Sequence, residues 1–122
     1  MTIVQFDKMG QNDQAEYVGL LVGGAEQVLK DEGRADLAAK VEELFTTTDP
    51  GDAHTNGVVE FQMNLALARV ADDKRVERDP SARRLTVEVA MAVTLKKNGI
   101  DLPQSFFSVM KDFKPKYPPQ QK

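Results

Sequence analysis

The sequence predicts an all-α fold: a bundle of four helices plus a short C-terminal fifth, with an extended N-terminal arm and a Pro-rich C-terminal tail. Three observations carry that expectation. Apolar residues recur at i, i+3 and i+4 through most of the chain, the period of helices with a buried face. The punctuation between those runs, Gly33, Asp79-Pro80-Ser81 and Asn98-Gly99, is that of helix ends. Strand-like alternation is confined to Ile3-Val4-Gln5-Phe6, too short to build a sheet alone.

The arm, residues 1–12, leads to a first helix whose start is marked by Asp13 with Glu16 three residues on, a capping pair. Gly33 closes that helix after Asp31-Glu32. A shorter second helix, from about Ala35 to Phe45, carries Leu37, Val41, Leu44 and Phe45 at helical spacing and folds back on the first as an antiparallel hairpin. A polar loop follows, from Thr46 to Gly57.

The third helix, from about Val58 to Arg75, carries two apolar stripes: Val59, Met63, Ala66 and Val70, and then Val58, Phe61, Leu65 and Ala68. The fourth, starting at Asp79-Pro80-Ser81 and ending at Asn98-Gly99, also has two: Leu85, Val89, Ala92 and Val93, and then Val87, Met91 and Leu95. Two stripes mean contact on two sides, so these helices are expected at the centre. A fifth helix begins near Pro103 with Phe106, Phe107, Val109, Met110 and Phe113, and residues 114–122 read as an extended tail. Residues 1–122 are expected to form a single domain.

Composition narrows the function classes. The absence of cysteine removes a disulfide framework, a thiolate nucleophile and a Cys-bearing zinc site. Met1 to Asp7 lacks a basic region followed by an apolar run, and the longest apolar stretch, Tyr17 to Ala25, is far short of the ~20 residues a membrane span needs. A soluble, cytoplasmic protein with no membrane partner is expected. The net charge of −3 hides an asymmetry: residues 1–57 carry 11 acids against 4 bases, residues 58–122 carry 8 against 12. One half attracts the other, within a monomer or between copies. Neither half has the basic balance of a nucleic-acid binder.

Several clusters invite a chemical role. Asp49, Asp52 and His54 are metal-ligand types in the polar loop, and Asp52 to Gly57 partly mimics the start of a calcium loop. The twelfth position, where a bidentate Glu closes such a shell, is Met63, and Thr, Asp, Pro, Gly and Asn are what any helix–helix loop uses. No metal is expected. Arg69, Arg75, Arg78, Arg83 and Arg84 cluster, but Asp72, Asp73, Glu77 and Asp79 are interleaved, the pattern of a salt-bridged corner. Glu88 lies within the apolar fourth helix, where burial would raise its pKa, yet Arg84 four residues earlier offers a local ion pair. Pro115 to Pro118 spells P-x-x-P without the flanking basic residue that orients such ligands.

The first helix holds the sharpest anomaly. At 100° per residue, Tyr17, Val18, Leu21, Val22, Ala25, Val28 and Leu29 share one broad face. Gly19 and Gly23 fall opposite, among Glu16, Glu26, Gln27 and Lys30. Each costs a helix interior about 1 kcal/mol against alanine, and a pair four apart lets another backbone approach closely. Leu20 lies between them as an exposed apolar side chain. Three arrangements fit: cover by the fifth helix or tail, a second copy or partner helix, or a kink.

Together these features point to a non-enzymatic helical protein-interaction module, an adaptor, regulator or immunity-type binding protein, using no cofactor. Its interface, with itself or another protein, is expected at Gly19, Leu20, Gly23 and Gln27. The alternative is a small-molecule binder with a pocket between the third and fourth helices, lined by Phe61, Met63, Met91 and Leu95.

Overall fold

The computed structural model describes residues 1–46 and 57–112. Among them the fold is all-α, with six helices: α1 (Ile3–Asp7), α2 (Gln11–Asp31), α3 (Ala35–Thr46), α4 (Gly57–Arg78), α5 (Val87–Lys97) and α6 (Ser105–Asp112). The expected first to fifth helices are therefore α2 to α6. The tail from Lys114 and the loop bearing Asp49, Asp52 and His54 lie outside the described residues.

The N-terminal arm is not extended, because Thr2 and Gln5 form a capping box. Gln5 N–H donates to Thr2 Oγ1 at 3.1 Å, and Thr2 N–H donates to Gln5 Oε1 at 2.9 Å. This satisfies two orphan amides and starts a helix that buries Ile3 and Phe6, three residues apart. Two further bonds pin it to a distant segment: Ile3 N–H donates to Leu85 C=O at 3.1 Å, and Val87 N–H to Met1 C=O at 3.0 Å.

α2 starts at Gln11, with Gly10 as its N-cap and Asp13 in its first turn. It ends as expected at Gly33, whose φ of 76° suits a residue without Cβ. Arg34 N–H donates to Leu29 C=O and Gly33 N–H to Lys30 C=O, at 2.8 and 3.0 Å, the paired bonds of a Schellman cap. The same pair ends α5 at Gly99, with Ile100 and Leu95 both fully buried.

The largest boundary correction falls before α5. Asp79-Pro80-Ser81 does not open a helix: Asp79 Oδ1 accepts from Ser81 N–H at 3.1 Å and from Ser81 Oγ at 2.6 Å, closing a turn. Residues 83–86 then run to an N-cap at Thr86, and Thr86 bridges Thr2. What holds this segment is the fully buried Asp72 of α4. Its carboxylate accepts from Leu85 N–H at 2.9 Å, Arg84 at 3.1 Å and Arg75 at 3.3 Å. Burial pushes its pKa up, but these three donors outweigh burial and hold it below the ordinary carboxylate range.

α2 packs against α3 and α6, and α4 against α5, α3 and α1. Phe6, Leu21, Leu29, Val41, Phe61, Met91 and Phe106 belong to one buried cluster that all six helices feed. The expectation of two central two-striped helices needs correction. α5 buries six of its eleven residues, whereas α4 buries five of its twenty-two, so only α5 is central.

Candidate functional site

α4 has two faces of opposite fate. Phe61, Asn64, Leu65 and Asp72 point inward. Val59, Met63, Leu67 and Val70 point outward and are 44, 61, 65 and 54% exposed. Helical geometry places them on one stripe about 17 Å long, opposite the buried face. With Val58, which lies about 100° further round the helix toward α2 and α3, they are five of the seven large apolar side chains that stand exposed among the described residues, and four of the seven share one helix face.

The inner face is fixed by polar bonds as well as packing. Asn64 donates to Thr94 Oγ1 at 2.9 Å and accepts from Lys97 Nζ at 2.9 Å, tying α4 to α5. Arg69 pairs with Asp7 of α1 and with Asp73. These bonds lock the helix in rotation, and so hold the outer stripe at water.

A second feature is a groove of about 640 Å³ between α2, the end of α3 and the start of α4. Gly19 and Gly23 lie in its floor, Val22, Phe45 and Val58 in its walls, and Glu26 and Glu42 at its edge. Burial, then the neighbouring Glu42 carboxylate, pushes Glu26 above the ordinary range. A Cβ built on Gly19 or Gly23 would meet nothing within 4 Å, so no element among the described residues approaches these glycines, and α2 continues through them. The close approach occurs one residue further on. At Gly24 a Cβ would come within 2.8 Å of Met110 Sδ, so α6 crosses α2 there.

The expected site residues are partly dispersed. Gly19 and Gly23 open on the groove, Leu20 is half-buried against the core, and Gln27 lies at the surface, donating to Asp31 at 2.9 Å. Phe61, Met91 and Leu95 are fully buried, while Met63 lies on the outer stripe, so the four do not line one cavity. Leu67 was absent from the two stripes read in sequence; its place beside Met63 at helical spacing is the signal that would have found it.

Glu88 is buried, but its partner is not Arg84, which pairs with Asp72 and Asp73. Glu88 accepts from the Met1 amine at 3.1 Å and from the Tyr17 hydroxyl. Burial, then the bond to Glu88 and its charge, raises the Tyr17 phenol far above its ordinary pKa. This carboxylate is a clasp between the N-terminus, α2 and α5. Among the described residues no group of three or more His, Cys, Asp or Glu could hold a metal ion, and no helix is long and apolar enough to cross a membrane. Compared with protein-family models, curated proteins and solved structures, the chain matches none.

Proposed function

We propose that this chain is a non-enzymatic helical protein-interaction module whose docking face is the outer stripe of α4. The observation that carries this is the concentration of Val59, Met63, Leu67 and Val70 on one helix face, each 44 to 65% exposed. Exposed apolar residues scattered singly need no explanation, but a contiguous stripe of them marks a contact surface. The buried carboxylates Glu88 and Asp72 support the absence of catalysis, since the N-terminal amine, Tyr17, Arg84 and Leu85 N–H occupy them. The proposed face thus moves from the glycine side of the first long helix to the fourth helix of the chain.

The test is a photo-crosslinking side chain placed at Leu67 in the source cells, with Lys8 as an exposed control. A discrete cross-linked species at Leu67, missing at Lys8 and lost with Met63→Glu, is expected. Its absence removes the proposal.

A second reading, small-molecule binding, draws support from the groove over Gly19 and Gly23. Its volume lies within the ~300–1,000 Å³ range of ligand sites. Filling it with Gly19→Leu, at the position where a Cβ has open space, leaves the fold intact and abolishes any ligand binding there.

A further inference from the structure

We infer that the groove over Gly19 and Gly23 takes an amphiphilic organic cation, its ammonium set between Glu26 and Glu42 and its apolar body lying along the glycines. This rests on the small-molecule reading above and names the class of ligand.

The shape follows from the sequence of α2. Ala15, Gly19 and Gly23 recur every four residues and share one face, so the floor is a row of side chains no larger than a methyl. Val18 and Val22 rise beside this row, and Phe45 of α3 and Val58 of α4 face them. The start of α4 holds the Phe45 ring in place. A Cβ built on Gly57 would come within 3.0 Å of Phe45 Cε2, so the ring packs directly on that backbone. A wall fixed in this way is set before a ligand arrives, which spares the cost of ordering it.

Charge is confined to one end. Glu26 lies beyond Gly23 on α2, and Glu42 comes from α3. Among the described residues that line the groove, these two are the only charged ones, and both are acidic. Burial and then Glu42 raise the Glu26 pKa, and Lys30, one turn further along α2, opposes this with a smaller effect. A half-buried carboxylate beside a second carboxylate is the environment that a cation relieves. The polar groups at the far end are neutral: Gln11, Gln14 and Gln62, with Gln14 donating to Phe6 C=O at 2.8 Å. The ammonium therefore belongs at the Glu26 end. From there to Gly19 the helix rises about 10 Å, the length of a short aryl-alkyl body.

The probe is phenylbutylammonium, titrated into the full chain and followed by amide NMR, beside phenylbutanol and phenylbutanoate. The cation is expected to shift the amides of Val18, Val22, Glu26 and Phe45. The alcohol should bind about ten-fold more weakly, and the carboxylate not at all. In the Glu26→Gln, Glu42→Gln double variant the cation should fall to the affinity of the alcohol, which itself is unchanged. Gly19→Leu should abolish both, with helical content unchanged. Equal binding of cation and alcohol to the wild type, lost in Gly19→Leu, overturns the cation and leaves the small-molecule reading standing. A preference for the cation that survives the double variant overturns the seat between the carboxylates. Binding that appears only when Lys114, Lys116 and Lys122 are all changed to Gln makes this chain's own lysines the occupant and overturns a free ligand. If none of the three probes shifts the groove amides, the small-molecule reading falls with the cation.

Discussion

α4 and α5 carry the same kind of pattern, two apolar stripes on one helix, and meet opposite fates. α5 is surrounded: Val87, Met91 and Leu95 lie in the core, and even its polar Glu88 and Thr94 are buried with partners. α4 buries Phe61 and Leu65 and leaves Val59, Met63, Leu67 and Val70 at water. The difference teaches that periodicity reports which face seeks a partner, not whether the partner belongs to the same chain. Buried polar groups make the contrast sharper. α5 places a carboxylate inside and satisfies it, whereas α4 places the aliphatic groups of Met63, Leu67 and Val70 outside, each more than half exposed.

The strongest way to break this contrast is to cut into each face of α4. Phe61→Ala is expected to cost about 3–5 kcal/mol by equilibrium urea denaturation, because it empties a fully buried site. Next comes the link between α4 and the approach to α5. Asp72→Asn keeps an acceptor for Leu85 N–H but loses the charge that Arg84 and Arg75 meet, costing about 1.5–3 kcal/mol. Its pH dependence has a definite sign. The folded Asp72 carboxyl lies below its ordinary value, so its stabilisation is complete above about pH 4 and disappears as pH falls through the folded value. Urea midpoints measured from pH 6 to pH 2 should show an acid loss in the wild type that is reduced in Asp72→Asn.

A smaller effect, of opposite sign, is expected on α2. Gly19→Ala adds a methyl in open space within a helix interior and should stabilise by about 0.5–1 kcal/mol. Gly24→Ala should gain less, since Met110 must first move aside. Equal gains in thermal melts would contradict the crossing of α6 at Gly24. The smallest effect completes the comparison. Leu67→Ala should change monomer stability by less than about 0.5 kcal/mol, measured at concentrations too low for association. A loss approaching that of Phe61→Ala would mean that the outer stripe is core after all.

Much of the fold was legible because helix ends carry local chemistry. Gly33 and Gly99 were readable as caps, and both adopt the left-handed backbone that caps use. The Thr2–Gln5 box was equally present in the sequence, but it starts a helix of five residues, shorter than any window in which a period can be seen. Asp79-Pro80-Ser81 was ambiguous, since the residues that cap a helix also close a turn. The choice between them was made thirteen residues from Leu85, by Asp72, and such a tertiary bond leaves no local trace. The glycine anomaly pointed to the wrong residues: no described element approaches Gly19 or Gly23, and α6 crosses α2 at Gly24, 100° around the helix from Gly23, which the pattern had not singled out. The site was legible as a pattern and illegible as a place: the stripe of Val59, Met63, Ala66 and Val70 was visible, and its exposure depended on how few elements remained to cover it.

The attachment of α1 to residues 85–88 has a consequence for the order in which the molecule assembles. Its bonds, Ile3 to Leu85, Met1 to Val87 and Met1 to Glu88, join positions more than eighty residues apart. The α2–α3 hairpin closes over a short turn and can form as soon as it is made. α1 is made well before that anchor: Phe6 can already meet Tyr17 and Gln14 of α2, but the bonds of Met1 and Ile3 must wait until about residue 88 has followed. The clasp that buries Ile3 against residues 85–88 is therefore among the last contacts to form.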